Sequence, residues 1–444
     1  MTAGSPVKLM LTFALPLMAG NVCQQLYTVT DTAIVGRGVG IDALAALGCS
    51  DWLGFLLFAT AQGFTQGFSI RMSQEYGAGN KEGLKRTVGT SAILSIFLAV
   101  VCTILGLWLL PFFLRVLNVP ENLYDMACLY MAILFGGVGT ALFNNFCAST
   151  LRAVGNSRTP FIAMIISSAT NIVLDSLTVF IFKWGIAGAA GATVFSQLVA
   201  GLICFIKIRQ TPELCINRSH LVHNLEAEKH LMALGLPVSL QNIGISIGGI
   251  LVLRIVNTFG TGFIAGYTAS GKLYGILEIA AISYSYAVTT YVGQNFGAGL
   301  KTRLKKGMRQ AIAMGILTAV LVGGLMFIFG RQAISLFIST DDALIAIEAE
   351  KAALTYIHYM AAFLPVLYMI YIVRSALQGV GKPGIGMVSA GCELLIRIAC
   401  ANIASATGNR DFVFLAEISA WFGGAAVVVI AWVMFIRKYM KENA

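Results

Sequence analysis

Apolar residues occur in long runs along this chain, and charged residues, prolines and glycines mostly fall between the runs. A helix needs about 20 apolar residues to cross the hydrocarbon core of a bilayer. The runs therefore predict an all-α membrane protein with twelve transmembrane helices. They lie near residues 9–35, 43–76, 86–113, 122–152, 158–182, 186–208, 231–259, 263–296, 306–332, 343–380, 384–406 and 411–437.

A sequence that lies between two of these runs occurs twice. Gln74–Arg86 reads QEYGAGNKEGLKR, and 220 positions later Gln294–Lys306 reads QNFGAGLKTRLKK. The chain is therefore an internal duplication, and repeated halves in a membrane protein are typical of transporters that rock one half against the other. Gly77 and Gly297 open the repeated turn, where we expect a backbone that bulky residues resist.

The duplication also predicts the domain organisation. We expect an N-terminal six-helix bundle at residues 1–210, a cytoplasmic linker at 211–230 and a C-terminal six-helix bundle at 231–444. Six spans per half is an even number, so both halves enter the bilayer in the same orientation. Their pseudo-two-fold axis should then lie along the membrane normal.

The charged residues predict how the chain is oriented in the membrane and exclude a nucleic-acid-binding protein. Most of the 30 Lys and Arg residues, Arg374 among them, fall in segments that would share one side with both termini, which predicts cytoplasmic termini. The net charge of +10 then lies beside anionic lipids. With 57% hydrophobic and 11% charged residues there is no room for a large soluble domain, and hence none for a compact face that binds nucleic acid.

Three histidines lie in the predicted linker, His220, His223 and His230. Their spacing matches no standard set of metal ligands, so it favours a solvated linker over a metal site. Two charged residues, Asp51 and Arg254, fit no site that the pattern predicts.

Polar side chains inside the spans of the first half concentrate on a few helices. Gln24, Tyr27 and Asp31 are three and four residues apart and share one face of the first span. The later spans of this half contribute Asn144, Asn145, Asn171, Asp175 and Thr193. An ionisable side chain in hydrocarbon is costly and is usually functional or paired. The amides alone are explained equally well by hydrogen bonds between helices.

The two acids of this set, Asp31 and Asp175, predict a cation-coupling site. No Lys or Arg of the same spans lies near enough in sequence to neutralise both. Two carboxylates in a partly dry cavity can exchange a proton near neutral pH. Carboxylate, amide and hydroxyl oxygens are also suitable ligands for Na⁺. The residues alone leave H⁺ and Na⁺ open.

The second half carries different chemistry. Where the first half has Asn171 and Asp175, the second has Glu393 and Arg397, also four residues apart, and we expect this pair to neutralise itself. The eighth span carries Glu278 among several tyrosines such as Tyr274. An acidic, aromatic wall can hold a flat or cationic ligand, although tyrosines also serve simply to pack helices.

These residues and motifs resemble a known family. The pattern Gln-x-x-Tyr-x-x-x-Asp-x-x-x-x-Gly at Gln24–Gly36, the repeated Gly-Ala-Gly-x-Lys and the Leu-Arg-x-x-Gly of Leu151–Gly155 resemble the multidrug and toxic compound extrusion (MATE) transporters. The resemblance covers essentially the whole chain. Asn171 and Asp175, with Thr193 eighteen residues further on, are similar to the prokaryotic branch whose acidic site lies in the N-terminal half.

The resemblance implies a V-shaped pair of six-helix bundles in the cytoplasmic membrane. Such proteins export amphipathic, often cationic compounds in exchange for H⁺ or Na⁺, without a cofactor. The matching positions assign cation coupling to Asp31 and Asp175, aided by Tyr27, Asn171 and Thr193, with Gln24 and Asn144 or Asn145 nearby. With the aromatic wall described above, the predicted substrate cavity comprises Gln24, Asn144, Asn145, Tyr274 and Glu278. The expected partners are small molecules and membrane lipids, for a chain that acts as a monomer.

Other branches of the family place an acid in the seventh helix shortly after its proline. The corresponding stretch here, Pro237–Arg254, contains no acid, which favours the site in the first half. A flippase for lipid-linked precursors is the alternative, but it should show a more basic cavity for a pyrophosphate. A membrane enzyme is the other class, and the chain contains none of the His-Glu-x-x-His, Gly-x-Ser-x-Gly or Walker-type motifs.

Overall fold

A computed structural model describes residues 1–117, 119–221, 223–335, 337 and 343–441, without the side chains of residues 41, 44, 49–52 and 343. The side chain of Asp51 therefore lies outside the description. Thirteen α-helices make up most of this part of the chain. They are α1 (Pro6–Gly38), α2 (Ile41–Gly77), α3 (Lys81–Val116), α4 (Glu121–Gly136), α5 (Val138–Ala153), α6 (Arg158–Ser176), α7 (Gly185–Arg209), α8 (Leu225–Val256), α9 (Thr261–Gly297), α10 (Lys301–Ser335), α11 (Ala343–Gly379), α12 (Pro383–Thr407) and α13 (Asp411–Lys441).

Each predicted span corresponds to a helix or to a bent pair. Nine of the described helices are long and apolar enough to cross a bilayer, and α4 with α5, bent by 45°, makes a tenth span. Helices α2 and α9 are each 37 residues long and are not among these nine. The bend falls at Gly137, where a Cβ atom would lie 2.3 Å from Val194 of α7. Glycine thus lets the broken span pack closely on α7.

The repeated Gly-Ala-Gly turn ends α2 and α9 in the same way. Gly79 and Gly299 have φ angles of +72° and +69°, a conformation that suits glycine. The expectation that Gly77 and Gly297 carry the strain was wrong, because these two residues are the last of their helices and the chain turns at the second glycine.

The chain divides into two compact units, residues 15–242 and residues 1–14 with 243–444. Helices α1 and α8 therefore each contribute to both. In the first unit, Gly63 and Gly67 of α2 lie against α8, and a Cβ on Gly67 would be 2.3 Å from the Cα of Gly235. In the second unit, α9 and α11 pack closely, and the Tyr368 hydroxyl donates to the carbonyl of Leu277 at 2.9 Å.

The polar segment before α8 folds onto the first unit. Arg218–His220 forms a short 3₁₀ turn, and His220 is buried. Nδ1 of His220 accepts from the backbone N–H of Asn217 at 3.0 Å, and Nε2 lies 3.4 Å from Oε2 of Glu82. The expectation of a solvated linker was therefore wrong at His220, although His223 is exposed.

Candidate functional site

Helix α1 presents a narrow buried stripe to the rest of the first unit. Asp31 and Val35 are buried and Tyr27 is half-buried, at a spacing of four residues. The neighbouring Leu26 and Val29 are about two-thirds exposed, with relative exposures of 65% and 66%. Tyr27 and Asp31 are therefore aimed at the helices behind α1.

The carboxyl groups of Asp31 and Asp175 lie within hydrogen-bonding reach of each other. Asp175 is fully buried in α6, and Asp31 is 9% exposed. Two ionised carboxylates offer only acceptors, so a hydrogen bond between them forms when one of the acids carries a proton. Oδ1 of Asp31 is buried and has no hydrogen-bond partner among the described residues, which a bound proton or cation would relieve.

Helix α7 joins the pair through Thr193. The side chains of Tyr27 and Thr193 are hydrogen-bonded, and Thr193 is buried. Asn171 is also buried and lies one turn before Asp175 on α6. The structure thus places all five predicted cation-coupling residues on α1, α6 and α7 of one unit.

The backbone changes directly after Asp175. Residues Leu177–Ile181 form a π-helical turn, a feature that is often found at functional sites. Two glycines pack against it: a Cβ on Gly38 of α1 would lie 2.2 Å from Val179, and one on Gly188 of α7 would lie 2.7 Å from Thr178. Helices α1, α6 and α7 therefore meet at close range beside the acids.

The other polar residues predicted in the first half do not all join this group. Nδ2 of Asn144 donates to Oε1 of Gln197 on α7 at 2.7 Å. Nδ2 of Asn145 donates to the carbonyl of Ala141 in its own helix at 2.9 Å. Gln24 is exposed, two turns before Asp31. Only the bond of Asn144 ties two helices together, α5 and α7.

In the second unit Glu278 receives two tyrosine hydroxyls. Tyr274, one turn earlier on α9, donates to its Oε1, and Tyr371 of α11 donates to the same oxygen at 3.1 Å. Tyr274 stacks on Trp421, with the ring centroids 6.1 Å apart. All three members of the Glu278 group are half-buried. An anionic oxygen among aromatic rings suits a cationic, flat ligand.

Sequence reasoning missed a buried ion network in this unit. Arg397 makes two hydrogen bonds with Glu417 of α13, at 3.0 and 2.8 Å, and lies 3.8 Å from Glu393. Glu393 contacts Arg374 of α11 instead. The predicted Glu393–Arg397 pair therefore exists only as the longest contact of a four-member network. Arg374, which the charge count placed with the cytoplasmic segments, is 4% exposed within α11.

Comparison with known proteins agrees with this architecture. The MatE family model matches residues 16–177 and 237–403, one match in each half. This chain belongs to the MatE family. It is 33% identical over 345 residues to the probable multidrug resistance protein YoeA of Bacillus subtilis, covering 75% of this chain and 73% of that protein. It is 27% identical to the probable multidrug resistance protein NorM of Thermotoga maritima, covering 95% and 89% of the two chains.

A solved structure shows the same fold. It is described as the outward-facing conformation of a multidrug resistance MATE family transporter of the MOP superfamily. It superposes with a TM-score of 0.91 at 24% identity, over 99% of this chain and 97% of that one. The resemblance to MATE transporters is confirmed, and with it the twelve-helix, two-bundle fold and a role in membrane transport rather than catalysis.

Proposed function

We propose that this MatE-family protein exports amphipathic, often cationic compounds across the cytoplasmic membrane, and that a proton taken up by Asp31 and Asp175 drives the export. Relatives that are described as multidrug resistance proteins support the substrate class. The close approach of the two buried carboxyl groups is the observation that carries the proton-coupling part.

The chemistry of the pair favours H⁺ over Na⁺ as the coupling ion. A sodium ion would have to separate the two carboxyl groups to coordinate both, whereas a single proton can be shared between them at their present separation. The shared proton also removes one of two negative charges from a buried position, where two like charges repel strongly. After release of the proton, the two carboxylates repel each other, and this repulsion acts on α1 and α6, the helices that carry them.

The driving force is sufficient for useful export. One proton that moves through a membrane potential of about 150 mV supplies about 3.5 kcal/mol. This free energy supports a substrate gradient of between two and three decades, since each decade costs about 1.4 kcal/mol.

The Glu278 group is our proposed contact for the cationic part of a substrate. Among the described residues, the carboxylate of Glu278 accepts hydrogen bonds from neutral tyrosines. Glu393 and Glu417 of the same unit form ion pairs with arginines, whereas Glu278 forms no ion pair with a described residue. Within the first half, Gln24 and the half-buried Asn144 and Asn145 are our proposed polar contacts for a substrate.

Dye efflux from proteoliposomes tests the proposal. The purified protein is reconstituted with ethidium inside the vesicles, and a pH gradient or a Na⁺ gradient is imposed separately. We expect the pH gradient alone to drive efflux and a protonophore to abolish it. Asp31→Asn should remove the coupled efflux, whereas Asp125→Asn, which changes an exposed acid of α4 in the same half, should leave it intact.

Two other results would contradict parts of the proposal. Efflux driven by the Na⁺ gradient alone would replace H⁺ by Na⁺. Translocation of a fluorescent prenyl-diphosphate lipid without dye efflux would replace export by lipid flipping.

The ion network argues against a flippase, because Arg374 and Arg397 both contact glutamates and neither offers an unpaired charge to a pyrophosphate.

A further inference from the structure

The two copies of the repeated turn differ in charge. The first copy contains two acids and a polar cap, at Glu75, Asn80 and Glu82, and the positions 220 residues later are Asn295, Leu300 and Thr302. Every one of these groups is therefore replaced by a side chain with no charge and, at Leu300, with no polar atom. The basic residues are retained, since Lys81, Lys85 and Arg86 correspond to Lys301, Lys305 and Lys306.

In the first copy the acids and the cap neutralise the turn. Oδ1 of Asn80 accepts from the backbone N–H of Gly83 at 3.0 Å and caps α3. Glu82 pairs with Arg86 at 3.2 Å, and Glu75 pairs with Arg71. The positive end of the α3 dipole and Arg86 thus meet acceptors within the protein.

In the second copy the positive charges accumulate. Helix α10 begins Lys-Thr-Arg-Leu-Lys-Lys with no acid in its first turn, at the end where the helix dipole is itself positive. The end of α13 brings Arg437 and Lys441 to the same place. Nζ of Lys301 donates to the carbonyl of Tyr439 at 2.7 Å and lies 4.6 Å from the centroid of its ring, which fastens the two helix ends together.

A cavity of about 380 Å³ lies between these helix ends. Its lining is divided between two kinds of side chain, the basic Lys305, Arg437 and Lys441 and the apolar Val433, Ile436 and Met440. The three basic residues are exposed, and the structure gives none of them an acidic partner among the described residues. Three cations therefore share one cavity that has an apolar wall.

We propose that this cavity binds the headgroup of an anionic phospholipid of the surrounding bilayer. The phosphodiester would contact Lys305, Arg437 and Lys441, and Arg437 can hold two of its oxygens at once. The apolar wall suits the glycerol and the start of the acyl chains, which a free phosphate in water would not use. Basic pockets between transmembrane helices are known to favour such headgroups. The inference does not depend on the proposed transport activity.

Lipid binding to the purified full-length protein tests the assignment. The protein in detergent is titrated with phosphatidylglycerol or with phosphatidylcholine of the same acyl chains, and bound lipids are counted by native mass spectrometry. We expect one phosphatidylglycerol to be retained well beyond phosphatidylcholine. The triple variant Lys305→Gln, Arg437→Gln, Lys441→Gln should bind it about 100-fold more weakly, because each basic residue near an anionic lipid contributes about fivefold.

The duplication provides a matched control. The variant Lys81→Gln, Lys85→Gln, Arg86→Gln removes three charges from the equivalent turn and should retain the bound phosphatidylglycerol. Equal losses in both variants would mean that total charge and not the cavity attracts the lipid, which overturns the proposal. Binding of glycerol 1-phosphate as tightly as the lipid would likewise overturn it in favour of a soluble phosphate ester. An unchanged thermal unfolding midpoint checks that the variants remain folded.

Discussion

At the scale of single residues, a proton shared by Asp31 and Asp175 would determine how much charge the core of the first half holds. With one proton on the pair, the buried charge would be a single negative one, beside the Oδ1 of Asp31 that has no hydrogen-bond partner among the described residues. Without the proton, two negative charges lie in contact. The bond between Tyr27 and Thr193 fixes α1 against α7 beside this pair.

We expect Tyr27→Phe to slow efflux by about fivefold, because it removes one hydrogen bond worth about 1 kcal/mol while it keeps the ring. The measurement is the initial rate of ethidium efflux under a fixed pH gradient. Thr28→Val is the control, since Thr28 is exposed and bonds only to the carbonyl of Gln24 in its own helix. A wild-type rate in Tyr27→Phe would separate Tyr27 from the coupling site.

Glu278→Gln should weaken the binding of cationic substrates and leave the binding of neutral substrates unchanged. The amide keeps the shape of the side chain but removes the charge, so the apparent affinity for a cationic dye should fall about tenfold while that for a neutral amphipathic dye stays the same. Competition assays with the two dyes give both values. Asp411→Asn, at an exposed acid of the same half, should change neither. Equal losses for both dyes would assign Glu278 a structural role.

At the scale of helices, the network of Arg374, Glu393, Arg397 and Glu417 joins α11, α12 and α13. Charges this deeply buried are stable only while they remain paired. Glu417→Gln should therefore lower stability by about 3–5 kcal/mol, because it leaves Arg397 with a poorer partner. Glu350→Gln, which breaks the exposed pair with Arg331, should cost less than about 1 kcal/mol. Chemical denaturation in detergent compares the two variants, and equal costs would contradict the network.

The close approach of α2 and α8 provides a second test at the scale of helices. Gly67→Ala should impair folding or efflux, because its Cβ would lie 2.3 Å from the backbone of Gly235 on α8. Gly54→Ala, on the same helix α2, meets nothing within 4 Å and should be neutral or slightly stabilising. Yield of folded protein and efflux rate measure both effects. Normal behaviour of Gly67→Ala would show that α2 and α8 can separate without cost.

The sequence predicted these helices and the acid pair for a physical reason. Apolar runs of sufficient length can only be helices in a bilayer, and a carboxylate such as Asp31 is too costly there to lack a role. The partners across helices could not be predicted in the same way. Whether Asn144 meets Gln197, or Arg374 meets Glu393, depends on how each helix is rotated and how deep it sits, which local spacing does not encode.

At the scale of the whole molecule, the duplication has diverged in a consistent way. The first half keeps acids that contact each other, in the Asp31–Asp175 pair, whereas the buried acids Glu393 and Glu417 of the second half contact arginines. One half is therefore suited to exchanging a proton and the other to holding its helices in a fixed arrangement. We expect proton binding to act by favouring one packing of α1, α6 and α7 over another.

The pH dependence of efflux for Asp31→Asn, Asp175→Asn and the double variant tests the central claim most directly. If the two acids share one proton, they titrate as a unit. Either single variant should then lose most of the pH-driven efflux, and the double variant should be little worse than the worse single one. Asp125→Asn should keep the wild-type profile. Losses that simply multiply in the double variant would mean two independent sites, and the shared-proton account would be wrong.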